Sequence, residues 1–136
     1  MIYIMDQGKV IRSGRTPDVF SDPLSMRGAR ITGYRNISRA EKKGERIIIP
    51  DWGISAVSDI PAAVGACIME GDIYLSDEGY RADVIRIVRM PDSVLAEVLL
   101  EGASASLWMK LPPEISPAGR ITVCFDPSSL KFLRYI

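Results

Sequence analysis

The stretch "ADVIRIVRMPDSVLAEVLLEG", residues 82–102, decides the fold class. Its opening, "ADVIRIV" (82–88), is rich in β-branched side chains and is followed by the turn signal "MPDS". Its second half, "VLAEVLLEG" (94–102), is apolar enough for a helix, but its valines and its place between two turn signals favour a strand. We therefore predict two strands joined by a short turn, and a mainly β fold.

Short apolar runs of the same kind lie on both sides of this pair. They are "RIIIP" (46–50), the two halves of "GACIMEGDIYLS" (65–76), "SASLWMKL" (104–111), "RITVCF" (120–125) and "LKFLRYI" (130–136). Short strands separated at intervals by turn signals are typical of a small closed or half-closed β-barrel, and they disfavour alternating strand–helix units. We interpret Lys42-Lys43, which lies between two glutamates, as part of a solvated turn.

The first part of the chain carries different signals. Apolar residues in 1–14 flank "DQG", where Gly8 can supply the positive φ of a short loop, so we predict a hairpin. Residues 16–23 carry the start and stop signals of a short helix, with a threonine N-cap and a proline at each end. Ser25 is expected to cap a second short helix that stops near Gly33.

Composition argues against several classes of function. The 17 basic and 17 acidic residues cancel, so no strong field attracts nucleic acid or anionic lipid. Histidine, the commonest general acid–base and metal ligand, is absent. Hydrophobic residues make up 47% of the chain, enough for a packed core. We therefore expect a folded protein that is not an enzyme.

Location and redox state follow from similar arguments. No apolar run approaches the roughly 20 residues of a membrane span, and the N-terminus lacks a signal-peptide pattern, which favours the cytoplasm. Cys67 and Cys124 are far apart among apolar neighbours, so we expect reduced thiols in a core rather than a disulfide or a metal pair.

The segment "YIMDQGKVIRSGRTPDVFSDP" (3–23) resembles the last strands and following helix of an ABC-transporter ATPase domain. The positions that fit the family pattern are Met5, Gly8, Val10, Gly14, Pro17, Asp18, Val19, Phe20 and Pro23. The next segment, "RGARITGYRNISRA" (27–40), resembles the linker of importer ATPases, in which an alanine, a glycine and an asparagine recur. Ala29, Gly33 and Asn36 fill those positions.

The remainder resembles the C-terminal regulatory module of those importers, the TOBE/MOP type, which is an OB-like β-barrel. "IMEGDIYLS" (68–76) stands where the family has "I-R-P-E-D-I", and "RITVCFDPSSLKFL" (120–133) resembles its closing strands. The resemblance implies two parts: residues 1–33 as the end of the ATPase domain, and residues 34–136 as the regulatory barrel. A change of composition near residues 33–45 is consistent with that junction.

The resemblance implies a non-catalytic regulatory and dimerisation domain, peripheral on the inner face of the plasma membrane through a permease. Its expected partners are a second copy, the parent ATPase domain and the transmembrane permease subunits. No phosphate loop "GxxxxGK(S/T)" and no "LSGGQ" signature is present, so ATP and magnesium would belong to the full-length parent. The short module favours a molybdate or tungstate importer, although sugar, polyamine and iron importers share the N-terminal pattern.

Three alternatives stay open. In the first, the barrel itself senses molybdate, tungstate or sulfate. Against it, the resemblance places Asp77 and Asp126 where the family has an arginine and a lysine, and Met69 where it has another arginine. An OB-fold nucleic-acid binder needs a basic groove and exposed aromatics, which balanced charge disfavours. An enzyme using paired carboxylates, such as Asp72 and Asp77, ranks last.

Few residues qualify as candidate site residues. Arg35, Ser38 and Arg39 are spaced so that they fit one anion-facing surface. Trp52, Trp108 and Leu99 are candidate anchors for packing or for a dimer contact. The acidic residues Glu70, Asp72, Asp77 and Glu78 lack the alternating spacing of a calcium loop, so we predict no metal site there.

Overall fold

The computed structural model describes residues 24–136 and the backbone of two N-terminal strands, β1 (Ile2–Asp6) and β2 (Lys9–Gly14). The remaining strands are β3 (Asn36–Arg39), β4 (Glu41–Lys43), β5 (Arg46–Ile49), β6 (Ile54–Val57), β7 (Gly65–Ile68), β8 (Tyr74–Arg89), β9 (Val94–Leu100), β10 (Leu107–Leu111), β11 (Arg120–Cys124) and β12 (Lys131–Leu133). One helix, α1 (Met26–Ile31), and three single 3-10 turns, Pro50–Trp52, Glu70–Asp72 and Pro127–Ser129, complete the described elements. The prediction of a mainly β protein is confirmed.

The N-terminal hairpin is also confirmed. Strands β1 and β2 pair antiparallel, with Ile4 opposite Arg12 and Asp6 opposite Lys9. The loop glycine Gly8 and the predicted first helix in residues 16–23 lie outside the described residues.

The second predicted helix is α1, and it begins and ends as expected. The Ser25 hydroxyl accepts a hydrogen bond from the Gly28 amide at 2.9 Å, and Gly33 follows the helix with a φ of +92°. A helix this short is unstable alone, so packing must hold it. Ala29 is fully buried in a small cluster with Cys67 and Leu133, which places α1 against β7 and β12.

The strands form antiparallel ladders in three sheets besides the hairpin. Their orders are β10-β9-β8-β11, β12-β7-β3 and β4-β5-β6. None of the sheets in the described chain closes into a barrel, so the prediction of a closed or half-closed OB-like barrel stays a prediction. Closure would require β10 or β11 to pair with the other sheets, and β10 instead meets β3 through a side chain, as described below.

The three sheets share one hydrophobic core. Alternate residues of β9, such as Val94, Ala96 and Val98, point inward, where they join Ile47 and Ile49 of β5 in the same buried cluster. Strand β7 is buried along its whole length because the core covers one face and α1 covers the other. This explains why "GACI" reads as a continuous apolar run.

The strand pair that decides the fold is formed as predicted. The turn at "MPDS" is closed by a hydrogen bond of 2.9 Å from the Met90 amide to the Ser93 carbonyl. Strand β8 is much longer than the predicted 82–88. Its register with β11 jumps between Thr122, opposite Arg81, and Val123, opposite Leu75, so residues 76–80 bulge out of the ladder.

Three strands were not predicted. Residues 36–39, 41–43 and 54–57 form β3, β4 and β6. The interpretation of Lys42-Lys43 as a turn was therefore wrong: both residues lie in β4, paired with β5, and the turn follows at Gly44, whose φ is +62°. Edge strands such as β4 tolerate this charge because one side of the ladder faces solvent.

Candidate functional site

The most specific polar arrangement in the described chain lies at the seam between β3 and β10. The side chain of Asn36, which is 3% exposed, donates from Nδ2 to the Trp108 carbonyl at 2.7 Å. Its Oδ1 accepts a hydrogen bond of 2.7 Å from the Trp108 amide. One carboxamide therefore pairs with both backbone groups of a strand residue, as a neighbouring strand would.

This contact joins two sheets that are not otherwise paired. Strand β3 is the edge of the β12-β7-β3 sheet, and β10 is the edge of the β10-β9-β8-β11 sheet. An open edge exposes unpaired amides and carbonyls that invite pairing with other chains. Asn36 satisfies those groups at Trp108, so the seam is held by a side chain where a barrel would have a ladder.

Sequence analysis identified Asn36 only as an asparagine that recurs in the linker of importer ATPases, and it did not predict this contact. Its partner is 72 residues away along the chain, so no local spacing predicts the pairing. The available signal was the asparagine itself, because a buried carboxamide must find hydrogen-bond partners.

The two predicted anion-facing arginines each meet a carboxylate. Arg35 Nε lies 3.6 Å from Glu70 Oε1, and Arg39 Nη2 lies 3.5 Å from Asp51 Oδ1. Both arginine side chains are more than half exposed, at 51% and 68%. Exposed pairs of this kind contribute little, but they place a negative charge beside each arginine.

The third residue of that prediction lies elsewhere. Ser38 is buried, and its hydroxyl donates to the adjacent Arg39 carbonyl at 3.2 Å. Since neighbouring residues of a strand point to opposite faces, the Ser38 hydroxyl and the Arg39 guanidinium do not face the same space. The structure therefore does not bring Arg35, Ser38 and Arg39 together around one anion.

The three candidate anchors occupy different environments. Trp52 is 2% exposed and belongs to the main core cluster. Trp108 is half-buried, with its backbone held by Asn36 and with the Arg86 guanidinium carbon 5.2 Å from the centroid of its ring. Leu99 is half-buried on the outward side of β9, opposite Asp83 of β8.

A row of polar contacts crosses the outer face of the four-stranded sheet beside Trp108. Glu97 of β9 is the cross-strand partner of both Arg86 and Trp108. Its carboxylate lies 3.3 Å from Arg86 Nη2 and accepts a hydrogen bond of 2.6 Å from the Ser106 hydroxyl. Because these groups satisfy one another, the row stabilises the sheet.

Two cavities open on the surface near β8. One, of about 670 Å³, is lined by Leu75, Ser76, Asp77, Ile121 and Thr122. None of these five lining residues is basic, and Asp77 is the residue that the resemblance places at an arginine position. The carboxylate repels an oxyanion, so this cavity lacks the charge that a molybdate site needs.

The second cavity, of about 380 Å³, lies beside the edge strand β6. Its walls include Arg46, Val57, Tyr80 and Phe125, and the last two rings stack with centroids 5.6 Å apart. The Arg46 guanidinium is already engaged, since its Nη2 donates to the Ser55 hydroxyl at 2.8 Å.

Within residues 24–136 no group of three or more Cys, Asp or Glu side chains is placed to hold a metal ion. Cys67 is buried and Cys124 half-buried, and neither forms a disulfide within the described residues. Cys124 lies opposite Tyr74, and its hydrogen bond and charge raise the pKa of that phenol.

The described helix α1 is far too short to cross a bilayer, and no other helix in the described chain qualifies. A scan of protein-family models finds none that matches this chain, and a search of curated proteins finds no significant match.

Proposed function

We propose that the chain is a non-catalytic regulatory and dimerisation module of an ABC importer's ATP-binding subunit. The observation that carries this proposal is the sequence of residues 3–23, in which the residues of the family pattern occur in the family's order. The first part of this segment forms the hairpin β1–β2, and a β-rich body follows it in the chain. In this proposal residues 1–33 complete the parent ATPase domain and residues 34–136 are an OB-like TOBE/MOP module. The parent would bind ATP and magnesium, and it would lie at the inner face of the plasma membrane through its permease.

The content of the β-rich body supports a coupling role. Its polar side chains at the β3–β10 seam and around Glu97 are paired with one another, and its described acidic residues form no metal cluster. A body of this kind contributes shape and stiffness. Two copies packed side by side would limit how far their ATPase domains separate, so a bound partner would shift the open–closed population.

The outer face of the four-stranded sheet is the surface that suits a two-fold contact. Val88 and Ile85 of β8 are 38% and 54% exposed, and Val88 is the cross-strand neighbour of Leu95. Leu99 lies on the same face. The edge of β10 is a poorer choice because Asn36 already occupies its backbone groups at Trp108. A contact through the same face of both copies is isologous, as a C2 dimer requires.

Light scattering on the full chain tests this contact. We expect twice the mass of one chain at micromolar concentrations, and a monomer for Val88→Glu, since a buried charge would separate the faces. Val57→Glu is the matched control, because Val57 is 69% exposed on β6 and lies outside the proposed contact. A monomeric wild-type chain would remove the dimer from the proposal.

The transported solute is proposed to be an oxyanion such as molybdate or tungstate. Direct binding by this module is a separate alternative, and the acidic lining of the 670 Å³ cavity weighs against it. Calorimetry with molybdate and tungstate distinguishes a module that does not bind the oxyanion from one that senses it directly. We expect no heat of binding in the micromolar range, and a saturable isotherm would favour a sensor instead.

A further inference from the structure

Strand β6 forms an edge of its sheet. The order of that sheet is β4-β5-β6, and among the described strands nothing pairs with β6 on the side away from β5. The two edges differ in charge: β4 is "EKK", with Lys43 Nζ 3.7 Å from Glu41 Oε2, whereas β6 is "ISAV". Charged side chains protect an edge from pairing with other chains, so β4 is protected in this way and β6 is not.

The hydrogen-bond register shows which backbone groups β6 presents outward. The Ser58 amide donates to the Glu45 carbonyl at 2.9 Å, directly beyond the last pair of the ladder, Val57 opposite Arg46. In an antiparallel ladder, bonded pairs alternate with non-bonded pairs, so the amides and carbonyls of Val57 and Ser55 point away from β5. An added strand would bond to these four groups.

The cavity of about 380 Å³ lies along this edge, and all four residues of β6 line it. Ala56 lies on the core face of the strand, because its partner Ile47 is fully buried. The stacked rings of Tyr80 and Phe125 form another part of the wall. A strand added to β6 would direct the side chain opposite Ala56 to this same face, where an apolar group would be buried against the rings.

The other face of the edge carries a positive charge. Arg46 donates to the Ser55 hydroxyl from Nη2 at 2.8 Å and from Nε at 3.3 Å. A hydroxyl does not neutralise this charge, and none of the ion pairs between described residues includes Arg46. Among the described residues that line the cavity, Arg46 is the one with a charge. Side chains opposite Ser55 and Val57 would share its face, where a carboxylate would pair with the guanidinium.

We propose that the edge of β6 binds an extended segment of a partner protein in which apolar and acidic side chains alternate. The segment adds a strand to the β4-β5-β6 sheet, with its apolar side chains against Tyr80 and Phe125 and its carboxylates beside Arg46. Backbone hydrogen bonds supply affinity, and the alternation supplies specificity. This binding site does not depend on the importer role proposed above.

Fluorescence anisotropy on the full chain tests the proposal with two short, fluorescein-labelled peptides. One alternates valine with glutamate, and the matched control alternates valine with lysine. We expect the glutamate peptide to bind saturably with a Kd below about 1 mM, and the lysine peptide to bind about fivefold more weakly or worse. Absence of saturable binding, or equal binding of the two peptides, would overturn the proposal.

The backbone contact is tested by Val57→Pro, which removes an outward amide without removing a bond to β5. Its matched control is Val57→Thr, which keeps the amide and the shape of the side chain. We expect the glutamate peptide to bind about fivefold more weakly to Val57→Pro and within about twofold of wild type to Val57→Thr. Equal affinities would mean that the peptide does not pair with this edge.

Arg46→Glu keeps the test independent of any damage that proline does to the sheet. This variant should prefer the lysine peptide, because the charge beside the edge is reversed. An unchanged preference for the glutamate peptide would place the acidic contact elsewhere.

Hydrogen exchange locates the bound peptide. The glutamate peptide should slow exchange at the amides of Ser55 and Val57 and leave the amides of β4 unchanged, whereas protection elsewhere would contradict the proposal. A second copy of the chain is the other possible occupant of this edge. If Val57→Glu converts a wild-type dimer into a monomer in light scattering, β6 is a self-contact and the partner-segment proposal fails.

Discussion

Two contacts that join distant parts of the chain, called joints here, differ in whether a side chain or the backbone makes them. At the β3–β10 seam, one buried carboxamide, that of Asn36, closes the gap between two sheets. At the start of α1, backbone groups of residues 24–27 pair with those of residues 134–136, whose side chains are exposed. A joint held by one side chain is rigid and can be removed by one substitution. A joint held by backbone groups tolerates most substitutions, because its hydrogen bonds do not depend on side chains.

The largest expected effect comes from breaking the side-chain joint. Asn36→Ala leaves the Trp108 amide and carbonyl without partners at a buried seam, which should lower the free energy of unfolding by about 3 kcal/mol. Urea unfolding followed by Trp fluorescence measures it. Ser38→Ala is the matched control, since Ser38 is also buried on β3 and bonds only to the adjacent Arg39 carbonyl, and it should lower stability by less than about 1 kcal/mol. Equal losses in both variants would show that the seam has no special role.

Gly79 tests a backbone contact inside the body. Its φ is +144°, and a Cβ there would lie 2.2 Å from the Val123 carbonyl oxygen. Gly79→Ala should therefore lower stability by about 2 kcal/mol, because the bulge of β8 must move away from β11. Gly71→Ala, where a Cβ meets nothing within 4 Å, should change stability by less than about 0.5 kcal/mol. A neutral Gly79→Ala in thermal unfolding would mean that the bulge is not fixed against β11.

A smaller effect is expected at the outer face of the sheet. Arg86→Ala removes the guanidinium from the Trp108 ring and from the half-buried Glu97, so we expect a loss of about 1 kcal/mol. Arg120→Ala is the control because Arg120 and its partner Asp83 are both more than half exposed, and it should change stability by less than about 0.5 kcal/mol. If the two variants unfold at the same urea concentration, the row around Glu97 contributes nothing beyond an ordinary surface pair.

The smallest effect is expected at Arg39, the last residue of β3. Arg39→Ala breaks an exposed pair with Asp51, and we expect a change below about 0.5 kcal/mol. A loss above about 1.5 kcal/mol, measured in the same urea series, would show that polar contacts along β3 other than that of Asn36 hold the seam.

The strands that could be predicted from sequence share one property. In "ADVIRIV" and "VLAEVLL", β-branched and apolar residues line up with turn signals on both sides, and both segments are strands. Strand β3 was not predicted because its buried positions hold Asn36 and Ser38, polar residues that are typical of loops. Strand β4 escaped because an edge strand can carry charges on consecutive residues.

The candidate site was harder to predict for a physical reason. The Asn36–Trp108 pairing depends on how two sheets are placed, and neither residue carries a local sign of the other. The same holds for Glu70 and Asp51, which meet the arginines predicted to face an anion. The spacing of residues along β3 shows which of them are neighbours in the strand, but it does not show which residues of other segments contact them.

The measurement that tests the proposed function most directly is transport by a grafted subunit. The full chain would replace the end of a molybdate importer's ATPase subunit and would be joined at the part of that subunit that residues 3–23 resemble. ATP-driven molybdate uptake would then be measured in membrane vesicles. We predict uptake well above that of a subunit truncated before its regulatory module. Uptake no higher than that of the truncated subunit, in a graft that folds and hydrolyses ATP, would contradict the account.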